Sequence, residues 1–174
     1  MSGRSERDAL RAVQAPLKER YRAEPGAARI TLEAGGTLDA GITCSVRTGR
    51  ALARAGLHPL TGGDGSALCS GDMLLEALVA CAGVTLRAVA TSLGLPVAGG
   101  TVTAEGDLDF RGTLGVSRDA PVGFDAIRLT FTLDSDASEE QLATLLALTE
   151  RYCVVLQTLA RPPALSVRRA RDDR

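Results

Sequence analysis

The feature that most constrains this chain is the segment from Met73 to Leu93, which is apolar on almost every helical face. Ser70 is a plausible N-cap ahead of it, and Asp72 is favourable in the first turn of a helix. Gly94 and Pro96 follow, and both residue types commonly end helices. A helix that is apolar all round is buried on most sides. The sequence therefore predicts a central buried helix around which the chain packs.

Patterns on either side of this helix predict paired strands and a second helix. Alternation predicts a hairpin of strands 29–35 and 40–48 around a Gly35-Gly36 turn, then two longer strands containing 102–110 and 127–133. A capping box at 138–141 opens a helix that reaches Cys153, and Leu165 and Val167 predict a last short strand. The order ββ-α-ββ-α-β indicates an α+β fold. Its strands are too few to cover the first helix, so we infer a partner subunit.

A chain of 174 residues suits one domain with short extensions. Helical spacing in 5–22 predicts an N-terminal helical extension over 1–27, followed by a domain over 28–168 and a charged tail over 169–174. A net charge of −1 argues against a nucleic-acid partner. The sequence has no run of 18 apolar residues and no secretory signal. We therefore expect no membrane partner and a cytoplasmic location.

Four cysteines are the candidates for chemistry: Cys44, Cys69, Cys81 and Cys153. In a cytoplasmic chain they are expected to be free, catalytic or redox-active rather than structural disulfides. Cys81 and Cys153 each lie in an apolar helical run, where a cysteine is often only a small buried side chain. Whether their sulfur atoms meet is open at this stage. Cys44 shares a strand face with apolar residues and is interpreted as core.

Other nucleophile and metal patterns are weak. A cysteine hydrolase would need His58, the single histidine, beside Cys81. The cysteine spacings match no standard zinc site, so no metal and no cofactor are expected. Cys69 lies just before the predicted helix, where thiolates are stabilised. It is either a second reactive thiol or a loop residue.

Two sequence motifs resemble those of a known family. The run Gly71–Leu86 (GDMLLEALVACAGVTL) resembles the central helix signature of the OsmC/Ohr family, the osmotically induced and organic-hydroperoxide-resistance proteins. The run Tyr152–Leu159 (YCVVLQTL) is similar to the second motif of that family. The resemblance covers about 28–168. It implies an OsmC-like intertwined homodimer, with antiparallel sheets wrapped around two central helices and active sites at the subunit interface.

The resemblance also implies an activity, the thiol-dependent reduction of hydroperoxides. Cys81 takes the place of the peroxidatic cysteine and Cys153 that of the resolving cysteine. The implied partners are a second copy of the chain, a small-molecule hydroperoxide and a dithiol reductant. Two thiols are needed because the second one converts the sulfenic acid of the first into a disulfide before further oxidation.

The family supplies a cation to the reactive thiol through an arginine that a glutamate holds. Asp72 aligns with that glutamate, whereas the position of the arginine holds Gly35-Gly36-Thr37. Arg47 is the first substitute, and Arg87 is the second. Val154 stands where the second motif has proline, so the helix is expected to run on through Cys153.

Two alternatives belong to other functional classes. The first is a non-catalytic OsmC-like dimer that binds a small apolar or electrophilic ligand between its subunits. The second is a redox sensor in which Cys69 or Cys81 is oxidised and a partner reads the change.

Overall fold

The computed structural model describes residues 51–115 and 117–170, preceded by residues 7–9, 11, 12, 14–16, 19, 23, 36–38 and 43–48. The described positions between 7 and 23 are helical, as predicted for the N-terminal extension. The apolar residues on which that prediction rests lie outside the described residues. From residue 36 onward the elements are β1 (Gly36–Leu38), β2 (Thr43–Thr48), β3 (Ala51–Gly56), a 3-10 turn (Pro59–Thr61), β4 (Leu68–Cys69), α1 (Ser70–Leu93), β5 (Val97–Leu108), α2 (Phe110–Thr113), β6 (Phe124–Ser135), α3 (Glu139–Tyr152) and α4 (Val154–Ala160).

The described strands form two sheets. The first has the order β1-β2-β3-β4, in which β3 and β4 were not predicted, and β4 pairs parallel with β3 rather than antiparallel. Gly36 begins β1 opposite Val46, so its prediction as a turn residue is wrong. The predicted strand 29–35 lies outside the described residues. The second sheet is the antiparallel ribbon of β5 and β6, confirming the pair of long strands.

Helix α1 confirms the central element of the sequence prediction, with one correction at its start. It runs over 24 residues, and its N-cap is Cys69 rather than Ser70. Asp72 lies in the first turn, where a carboxylate interacts favourably with the positive end of the helix dipole. Gly94 ends the helix at φ 68°, a left-handed conformation that glycine adopts without a steric cost.

Only one stripe of α1 is buried within the subunit. It consists of Leu78, Ala82, Leu86 and Ala90, spaced four residues apart. The opposite side is open, and Val84 is 73% exposed. Among the described residues of a single subunit, the covering layer of this helix comes from one side, so burial on most sides would need further covering surface.

The length and composition of α1 bear on the membrane prediction. The helix is long and apolar enough to cross a membrane, although the expectation was that the chain has no such segment. The bent pair of α3 and α4 passes the same test when taken together. One or two such helices are weak evidence of a membrane span, because core helices of soluble proteins share these properties.

The β5–β6 ribbon packs its apolar face on α1. The inward residues include Val102 and Ala104 of β5 and Ile127, Leu129 and Phe131 of β6, as the alternation predicted. Phe110 is not part of this strand. It begins the short helix α2, which the side chain of Asp109 caps by accepting the N–H of Arg111.

The second long helical region is broken into two parts. The capping box is confirmed, since Ser138 and Gln141 exchange side-chain and backbone hydrogen bonds at the start of α3. The predicted run through Cys153 is wrong: this residue is extended, and α4 bends from α3 by 71°. Residues 161–170 are exposed and have no regular secondary structure, so the predicted strand at Leu165 and Val167 is also wrong.

Candidate active site

The structure brings together two cysteines that are 72 residues apart in the chain. Cys81 lies in the middle of α1 and is half-buried, and Cys153 lies fully buried at the break between α3 and α4. Both are free thiols in one cluster with Leu78 and Ala82. Their sulfur atoms lie within hydrogen-bonding reach. The sequence left this meeting open, and the crossing of the helices decides it.

The break between α3 and α4 places the thiol of Cys153 against α1. The backbone N–H of Cys153 still donates to the carbonyl oxygen of Thr149 at 2.9 Å, which completes the last turn of α3. Its carbonyl oxygen accepts the N–H of Gln157 at 2.9 Å, which starts α4. Cys153 therefore belongs to both helices and stands at the corner between them. The fully buried Leu145 and the buried Thr149 anchor this end of α3.

The surroundings of Cys81 favour its thiolate. Burial of the sulfur raises the pKa of Cys81, but hydrogen-bond donors together outweigh that effect and lower it below the ordinary value for cysteine. In decreasing order, these donors are the backbone N–H of Val155, the thiol of Cys153, the backbone N–H of Val154 and the hydroxyl of Thr85. The single hydroxyl proton of Thr85 is directed at the Cys81 carbonyl oxygen at 2.8 Å, so the Cys81 sulfur competes with that oxygen for it. All four donors are uncharged.

Cys153 is shifted in the opposite direction. Burial raises the pKa of the Cys153 thiol, and the neighbouring Cys81 raises it further, despite backbone N–H groups of Leu156 and Val155 that act to lower it. Of the pair, Cys81 loses its proton first, and Cys153 keeps its proton and donates it toward the Cys81 sulfur. This asymmetry favours Cys81 over Cys153 as the thiolate of the pair.

The side chains packed around the pair are apolar. Besides the buried members, they come from β5, β6 and α4 and include Val102, Ala104, Ile127, Leu129, Phe131, Val155, Leu156 and Leu159. An environment of this kind strengthens hydrogen bonds to a thiolate and limits the access of water. It also favours contact with apolar parts of a small molecule over contact with water.

Asp72 lies away from the cysteine pair. It is nine residues before Cys81 on the same helix, a rise of about 13 Å. It is exposed and lines a cavity of about 270 Å³ together with Cys69 and His58. Any contribution of Asp72 to Cys81 within one subunit would need a long intermediary side chain.

The two candidate arginines are placed differently. Arg47 lies on β2 opposite Leu52 of β3, and its role toward Cys81 stays a prediction. The guanidinium of Arg87 donates to the carbonyl oxygen of Val97 at 2.7 Å. That contact holds it on β5, six residues or about 9 Å further along α1 than Cys81. Arg87 is therefore a poor candidate for the activating cation.

His58 lies near the start of α1, whereas a cysteine hydrolase would need it beside Cys81 in the middle of that helix. Its ring stacks on Phe110 with centroids 5.0 Å apart, and its Nδ1 accepts the N–H of Leu60 at 3.1 Å. It shares a cavity with Cys69, which is 12 residues or about 18 Å along the axis from Cys81. The hydrolase interpretation of His58 with Cys81 is wrong for this reason. Cys69 is the N-cap of α1 and part of β4, rather than a loop residue.

Sequence reasoning missed the backbone donors at Cys81. An amide N–H has no sequence signature, and its direction depends on the break at Cys153. The one available signal was Val154, a residue with an N–H in a place where the family motif has proline, which has none. Among residues that the structure describes, no group of three or more His, Cys, Asp or Glu side chains is placed to hold a metal ion.

Comparisons with known proteins identify the family and the fold of this chain. The model of the family described as OsmC-like protein matches residues 63–168. No curated protein sequence matches the chain. Among solved structures, an OsmC-like protein from Mycoplasma pneumoniae is similar with a TM-score of 0.65 and 15% identity, over 76% of this chain and 89% of that chain.

Two further similar structures carry organic hydroperoxide resistance protein in their names. The protein from Legionella pneumophila has a TM-score of 0.61 and 16% identity, over 77% of this chain and 92% of that chain. The protein from Elizabethkingia anophelis has a TM-score of 0.61 and 15% identity, over the same shares. At these identities the structures establish a shared α+β fold. With the family match over more than half of its length, this chain belongs to the OsmC-like protein family.

Proposed function

We propose that this protein is a thiol-dependent peroxidase that reduces organic hydroperoxides through Cys81 and Cys153. The observation that supports this most is the contact between two free thiols whose pKa values are shifted in opposite directions. A peroxidase of this kind needs one thiol as a thiolate and a second thiol that stays protonated beside it. Structural relatives named as organic hydroperoxide resistance proteins add support from the fold.

The first step is nucleophilic attack on the peroxide. The Cys81 thiolate attacks one oxygen of the hydroperoxide ROOH, the O–O bond breaks, and an S–O bond forms. The leaving alkoxide takes a proton and departs as the alcohol ROH. The sulfur of Cys81 is oxidised by two electrons to a sulfenic acid, and the peroxide is reduced by the same two electrons.

The second step forms the disulfide. The sulfur of Cys153 attacks the sulfenic sulfur of Cys81, the S–O bond breaks, and water leaves with the thiol proton of Cys153. An external dithiol then returns the pair to two thiols and is itself oxidised to a disulfide. Because this recycling needs a reducing compartment, we propose that the protein acts in the cytoplasm.

The apolar cluster around the thiols supports an organic substrate. Desolvating the polar peroxide group there costs free energy, and burial of an attached alkyl or aryl group offsets that cost. Hydrogen peroxide has no such group. We therefore expect organic hydroperoxides to be reduced with the higher kcat/KM.

We also propose that the protein works as a homodimer, as the family resemblance implies. The supporting feature is exposed apolar surface near the thiols: Val84 on α1 is 73% exposed, and Val154 beside Cys153 is 70% exposed. A second copy covering this surface would complete the burial that α1 lacks. Light scattering of the purified protein tests this, with the mass of two chains expected. A monomer at micromolar concentration would overturn the proposed dimer.

The activity is tested by the consumption of cumene hydroperoxide in the presence of dihydrolipoamide or dithiothreitol. The wild type is expected to turn over, and Cys81→Ser is expected to reduce the rate to that of the uncatalysed reaction. Cys153→Ser is expected to leave a sulfenic acid on Cys81 that dimedone labels, because the second thiol is missing. Peptide mass spectrometry identifies the labelled residue.

Full activity of Cys81→Ser would overturn the mechanism. Retention of a bound apolar molecule by a wild type that consumes no peroxide would favour the ligand-binding alternative instead. Labelling of Cys81 in the Cys153→Ser variant, with no consumption of peroxide by the wild type beyond one equivalent, would favour the redox sensor.

A further inference from the structure

At the break between α3 and α4, a side-chain hydrogen bond replaces a backbone hydrogen bond of the helix. In an uninterrupted helix the carbonyl oxygen of Glu150 would accept the backbone N–H of Val154, four residues later. Here the side-chain amide of Gln157 donates to that oxygen at 2.8 Å. The backbone N–H of Gln157 donates to the Cys153 carbonyl oxygen at 2.9 Å. Gln157 thus ties the last turn of α3 to the first turn of α4.

This exchange releases the N–H of Val154 from the helix. Within the described part of the chain it donates to no backbone carbonyl oxygen, and the side chain of Cys153 does not cap α4. The first turn of α4 packs on α1 at Cys81, where Val155 belongs to the same cluster. The N–H groups of Val154 and Val155 both act to lower the pKa of the Cys81 thiol, in agreement with this packing of α4 on α1.

We propose that Gln157 is a positioning residue for Cys81, because its hold on the Glu150 oxygen keeps the N–H groups of Val154 and Val155 against the Cys81 sulfur. The inference rests on the proposed role of Cys81 as the attacking thiolate. It assigns part of the stabilisation of that thiolate to neutral backbone groups of α4. Of the side chains around Cys81 in this cluster, Cys153 is the titratable one, and those from β5 and β6 are apolar.

Two variants test this role. One removes an N–H group beside Cys81, and the other removes the side-chain amide that holds the Glu150 oxygen. Val154→Pro deletes the N–H itself, and proline is tolerated at the first position of a helix. The preceding residue, Cys153, already has the extended conformation that a following proline requires, with φ −72° and ψ 107°. Gln157→Leu keeps a side chain of similar size but cannot donate to the Glu150 oxygen.

Each variant has a matched control. Val154→Ala shortens the side chain and keeps the N–H. Thr158→Ala removes a hydroxyl that donates to the Val154 carbonyl oxygen at 2.8 Å. That bond lies within α4 and does not cross the break. Circular dichroism checks that all four variants are folded.

The measurement is the rate of alkylation of reduced Cys81 by iodoacetamide as a function of pH, followed by peptide mass spectrometry. Loss of one hydrogen bond to a charged sulfur is expected to lower the thiolate population about tenfold. Val154→Pro should therefore move the midpoint of the titration up by about one pH unit, and Gln157→Leu by about half of that. Both controls should follow the wild type.

Midpoints that match the controls in both Val154→Pro and Gln157→Leu would overturn the inference. If Val154→Pro does not fold, Gln157→Leu decides the question on its own. The outcome is separable from the proposed activity: shifted midpoints in a protein that consumes no peroxide would remove the peroxidase and leave the positioning role. Peroxide turnover with unshifted midpoints would remove the positioning role and leave the peroxidase.

Discussion

Two cysteines on the same helix have different surroundings, and the difference is instructive. Cys69 occupies the N-cap position of α1, but its side chain makes no capping hydrogen bond. Cys81 lies in the middle of α1, where the dipole of that helix has little effect. Yet Cys81 is the one with a second thiol and the amides of another helix beside it. Distance along the chain from a helix start is thus a poor guide to thiol chemistry when a second helix ends or begins nearby.

The region around the Cys81–Cys153 pair and the region around Cys69 also differ in packing. Near the cysteine pair, Leu78 is almost completely buried, and in the adjoining cluster of α1, α3 and the β5–β6 ribbon Leu145 is fully buried. Near Cys69 the chain leaves an open cavity, and Leu60 on its edge is 71% exposed. The first region can hold atoms in fixed geometry, which a reaction between two sulfurs requires. The second can accept a small molecule but has no paired thiol among its lining residues.

The largest expected effect concerns stability. Leu145→Ala should lower the free energy of unfolding by about 2–5 kcal/mol, because it leaves a cavity in the packed region. Leu60→Ala, the matched change beside Cys69, should lower it by less than about 0.5 kcal/mol because Leu60 is already in solvent. Urea denaturation followed by circular dichroism measures both. Equal losses would contradict the contrast between the two regions.

The next effect concerns the pH at which the paired thiols react. The Cys81 pKa is lowered and the Cys153 pKa is raised, so with increasing pH Cys81 forms its thiolate first. Alkylation of the reduced protein between pH 6 and 10, mapped by peptide mass spectrometry, should therefore modify Cys81 at lower pH than Cys153. The reverse order would show that Cys153 is the nucleophile of the pair.

The smallest effect is expected at the other end of α1. Cys69→Ser and His58→Asn should each change the rate of hydroperoxide consumption by less than about twofold, because Cys69 lies about 18 Å from Cys81 along the helix and His58 lines the same cavity as Cys69. The same assay as for Cys81→Ser measures this. A loss of tenfold or more in either variant would mean that the cavity at Cys69 takes part in turnover, and the distinction between the two regions would fall.

The success of the sequence predictions depended on whether the signal was local. The end of α1 at Gly94 and the capping box at Ser138 are local, and both are confirmed. The strand over Ala51–Gly56 was missed because most of its residues are alanine or glycine, and Leu52 and Arg54 lie on the same face, so its sequence shows no alternation of apolar and polar residues. The strand predicted at Leu165 and Val167 is absent from the described chain, since alternation alone does not supply a partner strand.

The candidate site was predictable in part. The resemblance named Cys81 and Cys153 as a pair, and the structure brings them together. It also directed attention to Arg47 and Asp72 as the source of activation. Beside the sulfur the structure places backbone groups of Val154 and Val155, whose direction follows from tertiary structure, and the roles of Arg47 and Asp72 stay predictions.

The sequence by itself determined the central apolar helix, its end at Gly94 and the long strand pair. These follow from hydrophobic periodicity and from capping, which act over a few neighbouring residues. Only the tertiary structure decided that the second helical region bends at Cys153 and that this corner packs beside Cys81. Such a break exchanges local hydrogen bonds for contacts with a distant helix, and the free energy of that exchange depends on both helices at once.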